Sequence, residues 1–92
     1  MRAVYRFELP TPGEVKIEIP AGAQILHVAL GKRLPCIFAL VDTEAPSVVR
    51  RFRVVHTGDE IPDADSLHHV GSFLVGPERI SFHVFEDRRG DA

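Results

Sequence analysis

The stretch Leu34-Pro-Cys-Ile-Phe-Ala-Leu-Val-Asp42 decides the fold, because it is the most apolar run in the chain and lies near its middle. Alternate residues of a β-strand point to opposite faces of the sheet, and in this run both sets are apolar. A strand that is apolar on both faces needs cover on both, so the sequence raises the question of what covers the second face. The two sets are Cys36, Phe38 and Leu40, and Ile37, Ala39 and Val41.

Two strands are predicted before this run, and they have a simpler pattern. Arg2–Leu9 and Glu14–Pro20 alternate polar and apolar residues, which is typical of strands with one buried face. The segment Pro10-Thr-Pro-Gly13 between them has the composition of a turn. We therefore expect these two strands to pair as a hairpin with one face in solvent.

The rest of the chain also consists of short apolar segments separated by turn-forming residues, without a helical period in any window. The loop around Ile61 has room for a single 3₁₀ turn. The sequence therefore predicts an all-β domain of about seven antiparallel strands, forming a small sandwich or a partly open barrel with essentially no helix. The remaining predicted strands are Gln24–Leu30, Val48–Thr57, Leu67–Val75 with a bend or bulge at Gly71, and Arg79–Glu86.

Composition limits the classes of protein and partner. The chain has 92 residues, which predicts one domain over residues 1–92 with a polar, frayed tail at 87–92. A net charge of −2 disfavours binding to duplex nucleic acid, which needs a basic surface. A single cysteine excludes an intrachain disulfide, and neither a signal peptide nor a membrane-spanning run is present, so we expect a cytoplasmic protein with no membrane partner.

The apolar content predicts both a core and an assembly. Because three strands are apolar on both faces and no helix is available to cover them, we expect a homo-oligomer joined through apolar strand faces. Ile37 or Val41 is predicted at that contact, since both lie on the strand face opposite to Phe38 and Leu40. A monomer with several exposed aliphatic side chains is the alternative. The predicted core consists of Ile17, Phe38, Leu40, Phe52, Val54, Phe82 and Val84.

The predicted ligand site joins a basic strand to the loop that follows it. Arg51 and Arg53 share one strand face, and guanidinium groups suit carboxylates and phosphates. His56, Thr57 and Asp59 follow in the stretch His56-Thr-Gly-Asp59, where side chains and the backbone beside the glycine can contact a ligand. The alternatives are a plain turn and a solvated strand face with glutamate partners across the strand. Lys32 and Arg33 are able to join this basic patch.

Metal binding, a cofactor and catalysis have no support in the sequence. The five histidines lack the spacing of convergent zinc ligands, and Cys36 lies in the most apolar strand, where a thiol acts as a small apolar group. No nucleophile can be matched with a base, and the glycine-flanked serine motif of hydrolases is absent. We therefore predict no catalytic residue, no metal and no cofactor.

Four stretches together resemble a family of small uncharacterised proteins, labelled as a domain of unknown function, that is frequent in bacteriophages and prophages. They are Pro20-Ala-Gly-Ala-Gln-Ile-Leu-His-Val28, Leu34-Pro-Cys-Ile-Phe-Ala-Leu-Val-Asp42, His56-Thr-Gly-Asp-Glu-Ile-Pro62 and His83-Val-Phe-Glu86. Phe38 stands where the family often has tryptophan, and Asp59 where it often has histidine. The resemblance implies a phage-encoded protein in the host cytoplasm, and it brings no activity or catalytic residue.

Three functions remain at this point. The first is a small oligomeric, non-catalytic binding protein that sequesters a small anionic host molecule, such as a nucleotide immune signal, as an anti-defence sponge; this step is an analogy. The second is an interaction module whose apolar strands bind a host or virion protein. The third, an enzyme, is the least supported, because no acid–base or nucleophile–base pair can be assigned.

Overall fold

The computed structural model describes residues 1–10 and 13–88, and these form strands with one short 3₁₀ helix. The all-β prediction is confirmed, and the 3₁₀ turn expected near Ile61 is Ala64–Ser66. The tail predicted to fray contains Asp87, which instead ends the last strand; residues 89–92 lie outside the described residues. The strands are β1 (Arg2–Glu8), β2 (Gly13–Pro20), β3 (Gln24–Leu30), β4 (Pro35–Asp42), β5 (Ser47–His56), β6 (Leu67–Val75) and β7 (Ile80–Asp87).

The strands form two antiparallel sheets that do not close into a barrel. One sheet has three strands in the order β1-β4-β3, and the other has four in the order β2-β5-β7-β6. The apolar faces of both sheets contribute to one core, so the architecture is a sandwich. The predicted hairpin of the first two strands is wrong, because β1 pairs with β4 and β2 with β5. Alternation predicts a buried face, but it does not say whether two strands lie side by side or in opposite sheets.

The β4 strand turns the opposite set of side chains inward from the one we predicted. Ile37 and Val41 are 0% and 1% exposed, and they lie between the two sheets. Phe38 and Leu40 are only half-buried, on the outer side of the three-stranded sheet. The prediction that Ile37 or Val41 lies at a subunit contact is therefore wrong, and so is the assignment of Phe38 and Leu40 to the core.

Pairing explains this choice of face, since residues directly opposite in neighbouring strands share one face of a sheet. Ile37 lies opposite Phe7 of β1 and Val28 of β3, and all three side chains point into the core. Phe52, Val54 and Val84 are buried as predicted, whereas Ile17 and Phe82 are partly buried against the core.

Glycine at position 71 allows one edge of each sheet to approach the other. The register between β6 and β7 shifts between His69 and Gly71, which confirms the predicted irregularity. A Cβ atom on Gly71 would lie 2.7 Å from Cγ2 of Val28 in β3. The two strands can therefore touch only because residue 71 lacks a side chain.

Candidate functional site

The predicted arginines lie on the outer face of the four-stranded sheet, the face turned away from the core. Phe52 and Val54 of β5 point inward, so Arg51 and Arg53 between and beside them point outward, as the alternation predicts. Arg51 is exposed and Arg53 is partly buried. The outer face therefore carries both arginines of the predicted basic strand.

The guanidinium of Arg53 already has a partner within the chain. Its two terminal nitrogens donate to the two carboxylate oxygens of Asp63, at 2.6 and 2.9 Å. The hydrogen bond that Arg53 donates to Asp63 raises the pKa of Arg53, so the guanidinium stays charged. The partner comes from the loop after β5 and not from a glutamate across the strand. An anionic ligand would have to compete with this bidentate contact.

The loop His56-Thr-Gly-Asp59 forms a turn that uses its own polar groups. Asp59 accepts a hydrogen bond from the backbone N–H of His56 at 3.0 Å, and its own N–H donates to the carbonyl oxygen of His56 at 3.0 Å. Gly58 has a φ of 98°, which favours glycine. These contacts are those of the plain-turn alternative. Contact of this loop with a ligand stays a prediction.

An open groove beside this turn has an unfavourable charge for an anion. Arg53 and Asp59, two of the predicted site residues, line it together. Glu14 and Glu60 line it as well, so three carboxylates face one guanidinium that Asp63 already holds. The structure thus brings two of the predicted site residues, Arg53 and Asp59, together, but in an acidic groove.

Thr57 belongs to a hydroxyl–imidazole cluster on the same outer face, which the sequence analysis missed. We use this name for Thr57, Ser81, His83, Ser72 and His69. The Thr57 hydroxyl lies 2.7 Å from Nε2 of His83, and Nδ1 of His83 lies 2.7 Å from the Ser72 hydroxyl. That hydroxyl is 3.1 Å from Nε2 of His69, and Thr57 also contacts the Ser81 hydroxyl. The cluster is a connected row of proton donors and acceptors across three strands.

One arrangement of protons runs through the whole cluster in a single direction. Ser81 donates to Thr57, and Thr57 donates to Nε2 of His83. Nδ1–H of His83 donates to Ser72, which donates to His69. The Thr57–His83 contact has the geometry of a nucleophile and its base. However, Nδ1 of His83 meets a serine hydroxyl, which cannot balance a positive imidazolium as a carboxylate does.

Part of this cluster had a signal in the sequence. The turn Gly76-Pro-Glu-Arg79 joins β6 and β7, and Val75 pairs with Ile80 directly beside it. Moving three residues away from the turn along each strand brings Ser72 opposite His83. Thr57 had no such signal, because β5 and β7 pair without a local turn between them.

A positively charged pocket lies on the other sheet. Arg6 of β1 and Lys32 and Arg33 of the β3–β4 loop line a pocket of about 380 Å³, which we call the basic pocket. Glu8 is the one carboxylate among its described lining residues. The sequence allows Lys32 and Arg33 to join the Arg51 patch, and the structure shows that they line this pocket with Arg6.

Gly31 determines the conformation of the loop that carries Lys32 and Arg33. A Cβ on Gly31 would lie 2.8 Å from the carbonyl oxygen of Leu34 and 3.0 Å from Sγ of Cys36. Its N–H donates to that same carbonyl at 2.9 Å, which closes the loop. Cys36 is buried at the pocket floor, as the sequence predicts. The loop therefore lies directly on β4 and holds both cations beside Arg6.

An apolar cleft of about 190 Å³ adjoins this loop on its inner side. Phe73 and Phe82 line it with their rings stacked, 5.5 Å between centroids. Leu30 and Pro35 line its other wall, and Arg33 lines both the cleft and the basic pocket. The guanidinium of Arg33 thus lies between the basic pocket and the apolar cleft that Phe73 and Phe82 line.

Comparison with known proteins places the chain in a family. It belongs to the family described as Domain of unknown function (DUF7352), whose match covers residues 1–92. The predicted resemblance to an uncharacterised family is thereby confirmed at this level. No curated protein and no solved structure matches the chain. In the part of the chain that the structure describes, no helix is long and apolar enough to cross a membrane, and no group of three potential metal ligands occurs.

Proposed function

We propose that this member of the DUF7352 family is a non-catalytic binding protein that holds a small, phosphate-bearing anion in the basic pocket. The observation that carries the proposal is the convergence of Arg6, Lys32 and Arg33 around one pocket with a single carboxylate, Glu8. Within residues 1–10 and 13–88, none of these three cations takes part in an ion pair.

The charge distribution supports this location over the predicted one. Guanidinium groups bind phosphate through two parallel hydrogen bonds, provided that both donors are available. Arg53 has both terminal nitrogens on Asp63 and lines an acidic groove. Arg6 and Arg33 have no such partner among the described residues. The Arg51–Arg53 face with His56, Thr57 and Asp59 stays as a second proposed site for the same ligand class.

The adjoining apolar cleft supports a ligand that has a flat ring as well as a phosphate. A ring in the cleft would contact Phe73 and Phe82, and Arg33 would lie between it and the phosphate. Aromatic side chains stack on nucleobases, and guanidinium groups bind phosphates. A nucleotide has both parts, so it is the ligand class that we propose.

The finer proposal is that a phage-encoded protein sequesters a nucleotide immune signal in the host cytoplasm. It is supported by the resemblance of the four quoted stretches and by the proposed pocket. A sponge needs only affinity, so its ligand would leave the protein chemically unchanged. The Thr57–His83 contact favours an enzyme. This candidate is less supported than a binding protein, because Ser72 cannot balance a positive charge on His83.

An interaction module is the second candidate function, and a specific surface favours it. The outer face of the three-stranded sheet has exposed Val4 and Leu26 beside half-buried Phe38 and Leu40. Exposed apolar side chains that cluster on one face are typical of protein contacts. A host or virion protein is the proposed partner for this face.

The test is capture of a ligand and its recovery. The purified protein is incubated with lysate from phage-infected cells, washed and heated, and the released small molecules are identified by mass spectrometry. Titration calorimetry with inorganic phosphate and with mono-, di- and cyclic nucleotides then measures affinity directly. We expect an intact nucleotide in the heat-released fraction. Release of only a hydrolysed product, or no binding by any of these anions, would overturn the proposal.

A further inference from the structure

From the free edge of the three-stranded sheet, we infer that two copies of this chain pair antiparallel through β1, with Tyr5 on the two-fold axis. β1 is an edge strand, because β4 pairs with it on one side only. Its seven residues pair with β4 without a register shift and contain no proline. Side chains on this edge are open to solvent, with Val4 56% and Tyr5 43% exposed.

The ladder with β4 shows which backbone groups are available at the edge. Leu9 N donates to Pro35 O and Thr43 N to Met1 O, each at 2.8 Å, and both contacts continue the β1–β4 register. Odd-numbered residues of β1 therefore direct their N–H and C=O groups to β4. The even-numbered residues direct theirs to the open edge, which is a template for another strand. They are Arg2, Val4, Arg6 and Glu8.

Charge selects one register for pairing with a second copy. In an antiparallel pair, even residues must face even residues if their outward groups are to bond. Centring the axis on Tyr5 places Arg2 opposite the partner's Glu8 at both ends, and all seven residues overlap. Moving the axis to Val4 sets Arg2 against the partner's Arg6. Moving it to Arg6 sets Arg6 against the partner's Arg6. Opposite charges across strands stabilise pairing and like charges oppose it.

Another edge strand is less suited to such pairing. β2 is the edge of the four-stranded sheet, and its even residues also direct their backbone groups to the open edge, since Ala21 N donates to Pro46 O in the β2–β5 register. Pairing centred on Lys16 would set it against the partner's Lys16 and Glu14 against the partner's Glu18. Pairing centred on Ile17 would set Lys16 against the partner's Glu18, but it would place Pro20, which has no N–H, at both ends of the paired edge. β3 and β6, the other edges, each have a register shift, which interrupts a regular edge.

Pairing through β1 would also complete the basic pocket. Glu8 lines that pocket, and in the dimer it faces the partner's Arg2. The partner would thus neutralise the pocket's carboxylate and add a cation at its rim. This consequence rests on the proposed function, whereas the pairing itself does not.

The test is the mass of the purified protein by sedimentation velocity from micromolar to millimolar concentration. We expect a dimer that becomes monomeric, yet folded by circular dichroism, in Arg2→Glu and in Glu8→Arg, each with a dissociation constant raised about tenfold or more. Mixing the two variants should restore a dimer, because both cross-strand pairs are then opposite in charge. Lys16→Glu on β2 is the matched control and should leave the mass unchanged.

A backbone variant tests the pairing without changing charge. Val4→Pro removes an N–H that faces the open edge and leaves the β1–β4 ladder intact, so it should give a folded monomer. A parent that is monomeric at every concentration overturns the inference. So does a dimer that survives Arg2→Glu and Val4→Pro but is lost in Leu40→Asp, which would assign the contact to the apolar outer face. A separate anion titration of the parent and of Arg2→Glu tests the basic pocket. It shows whether a failure to bind an anion is independent of a failure to dimerise.

Discussion

Arg50 and Glu86 form a bidentate ion pair on the inner face of the four-stranded sheet, the face that packs against the core. Nε and Nη2 of Arg50 donate to the two carboxylate oxygens of Glu86, at 2.6 and 2.7 Å. Nη1 donates to the carbonyl oxygen of Ala23 at 2.6 Å. The side chains are 15% and 1% exposed, so the pair ties β5, β7 and the β2–β3 turn together inside the sandwich.

Glu86→Gln should destabilise the fold by about 3–5 kcal/mol, because it removes the carboxylate that accepts two hydrogen bonds from the partly buried Arg50 guanidinium. Urea unfolding followed by circular dichroism measures this change. The control is Arg51→Met, which lies on the opposite face and should change stability by no more than about 0.5 kcal/mol. The double variant Arg50→Met with Glu86→Leu should lose less than Glu86→Gln alone. A loss below about 1 kcal/mol in Glu86→Gln would contradict the role of the pair.

This pair shows how far the sequence could predict the fold. Alternation along β5 predicts that Arg51 and Arg53 share a face, and the same rule assigns Arg50 to the other face. That other face carries Phe52 and Val54, so an arginine there needs a buried partner. Glu86 is remote in sequence, and no local pattern connects it with Arg50. Strands were therefore predictable from local alternation, whereas non-local pairing was not.

The parity of β4 gives a second prediction, which concerns the two apolar faces of one strand. Ile37→Ala should cost about 2–5 kcal/mol, because Ile37 is fully buried between the sheets. Leu40→Ala should cost clearly less, because Leu40 is half-buried on the outer face. The same urea unfolding measures both, and the two truncations remove comparable aliphatic groups. Equal losses would mean that the outer face is covered in solution by another copy or partner.

The contact between Gly71 and Val28 gives a third prediction. Gly71→Ala should destabilise by about 1–3 kcal/mol, because the new Cβ would lie 2.7 Å from Cγ2 of Val28 and overpack the contact. Val28→Ala should rescue only part of this loss, since Val28 Cβ itself would lie 2.9 Å away. Differential scanning calorimetry of both single variants and the double variant gives the coupling. Additive losses would show that the two strands do not meet at this point.

The candidate site was less predictable than the fold, for a physical reason. Thr57 and Arg53 were selected by residue type, but their partners His83 and Asp63 are set by strand pairing and by a loop. Arg6 and Arg33 lie 27 residues apart along the chain and share a pocket only because β1 and β3 both flank β4. A sequence pattern finds cations in one run, whereas this pocket collects them from two separate segments.

The last prediction compares the two proposed anion sites directly. Lys32→Ala with Arg33→Ala should weaken nucleotide binding at least about a hundredfold, because two charge-assisted hydrogen bonds of roughly 1.5–3 kcal/mol each are lost. Lys16→Ala with Arg51→Ala removes the same charge from the other sheet and should leave affinity within a few-fold. Calorimetry at two salt concentrations separates contact from long-range attraction, since screening weakens only the latter strongly. If the second pair of substitutions lowers affinity and the first does not, the Arg51 face is the site. In that case the ligand either displaces Asp63 or accepts from the Arg53 N–H groups that do not face Asp63, since the two contacts to Asp63 use two of the five N–H donors.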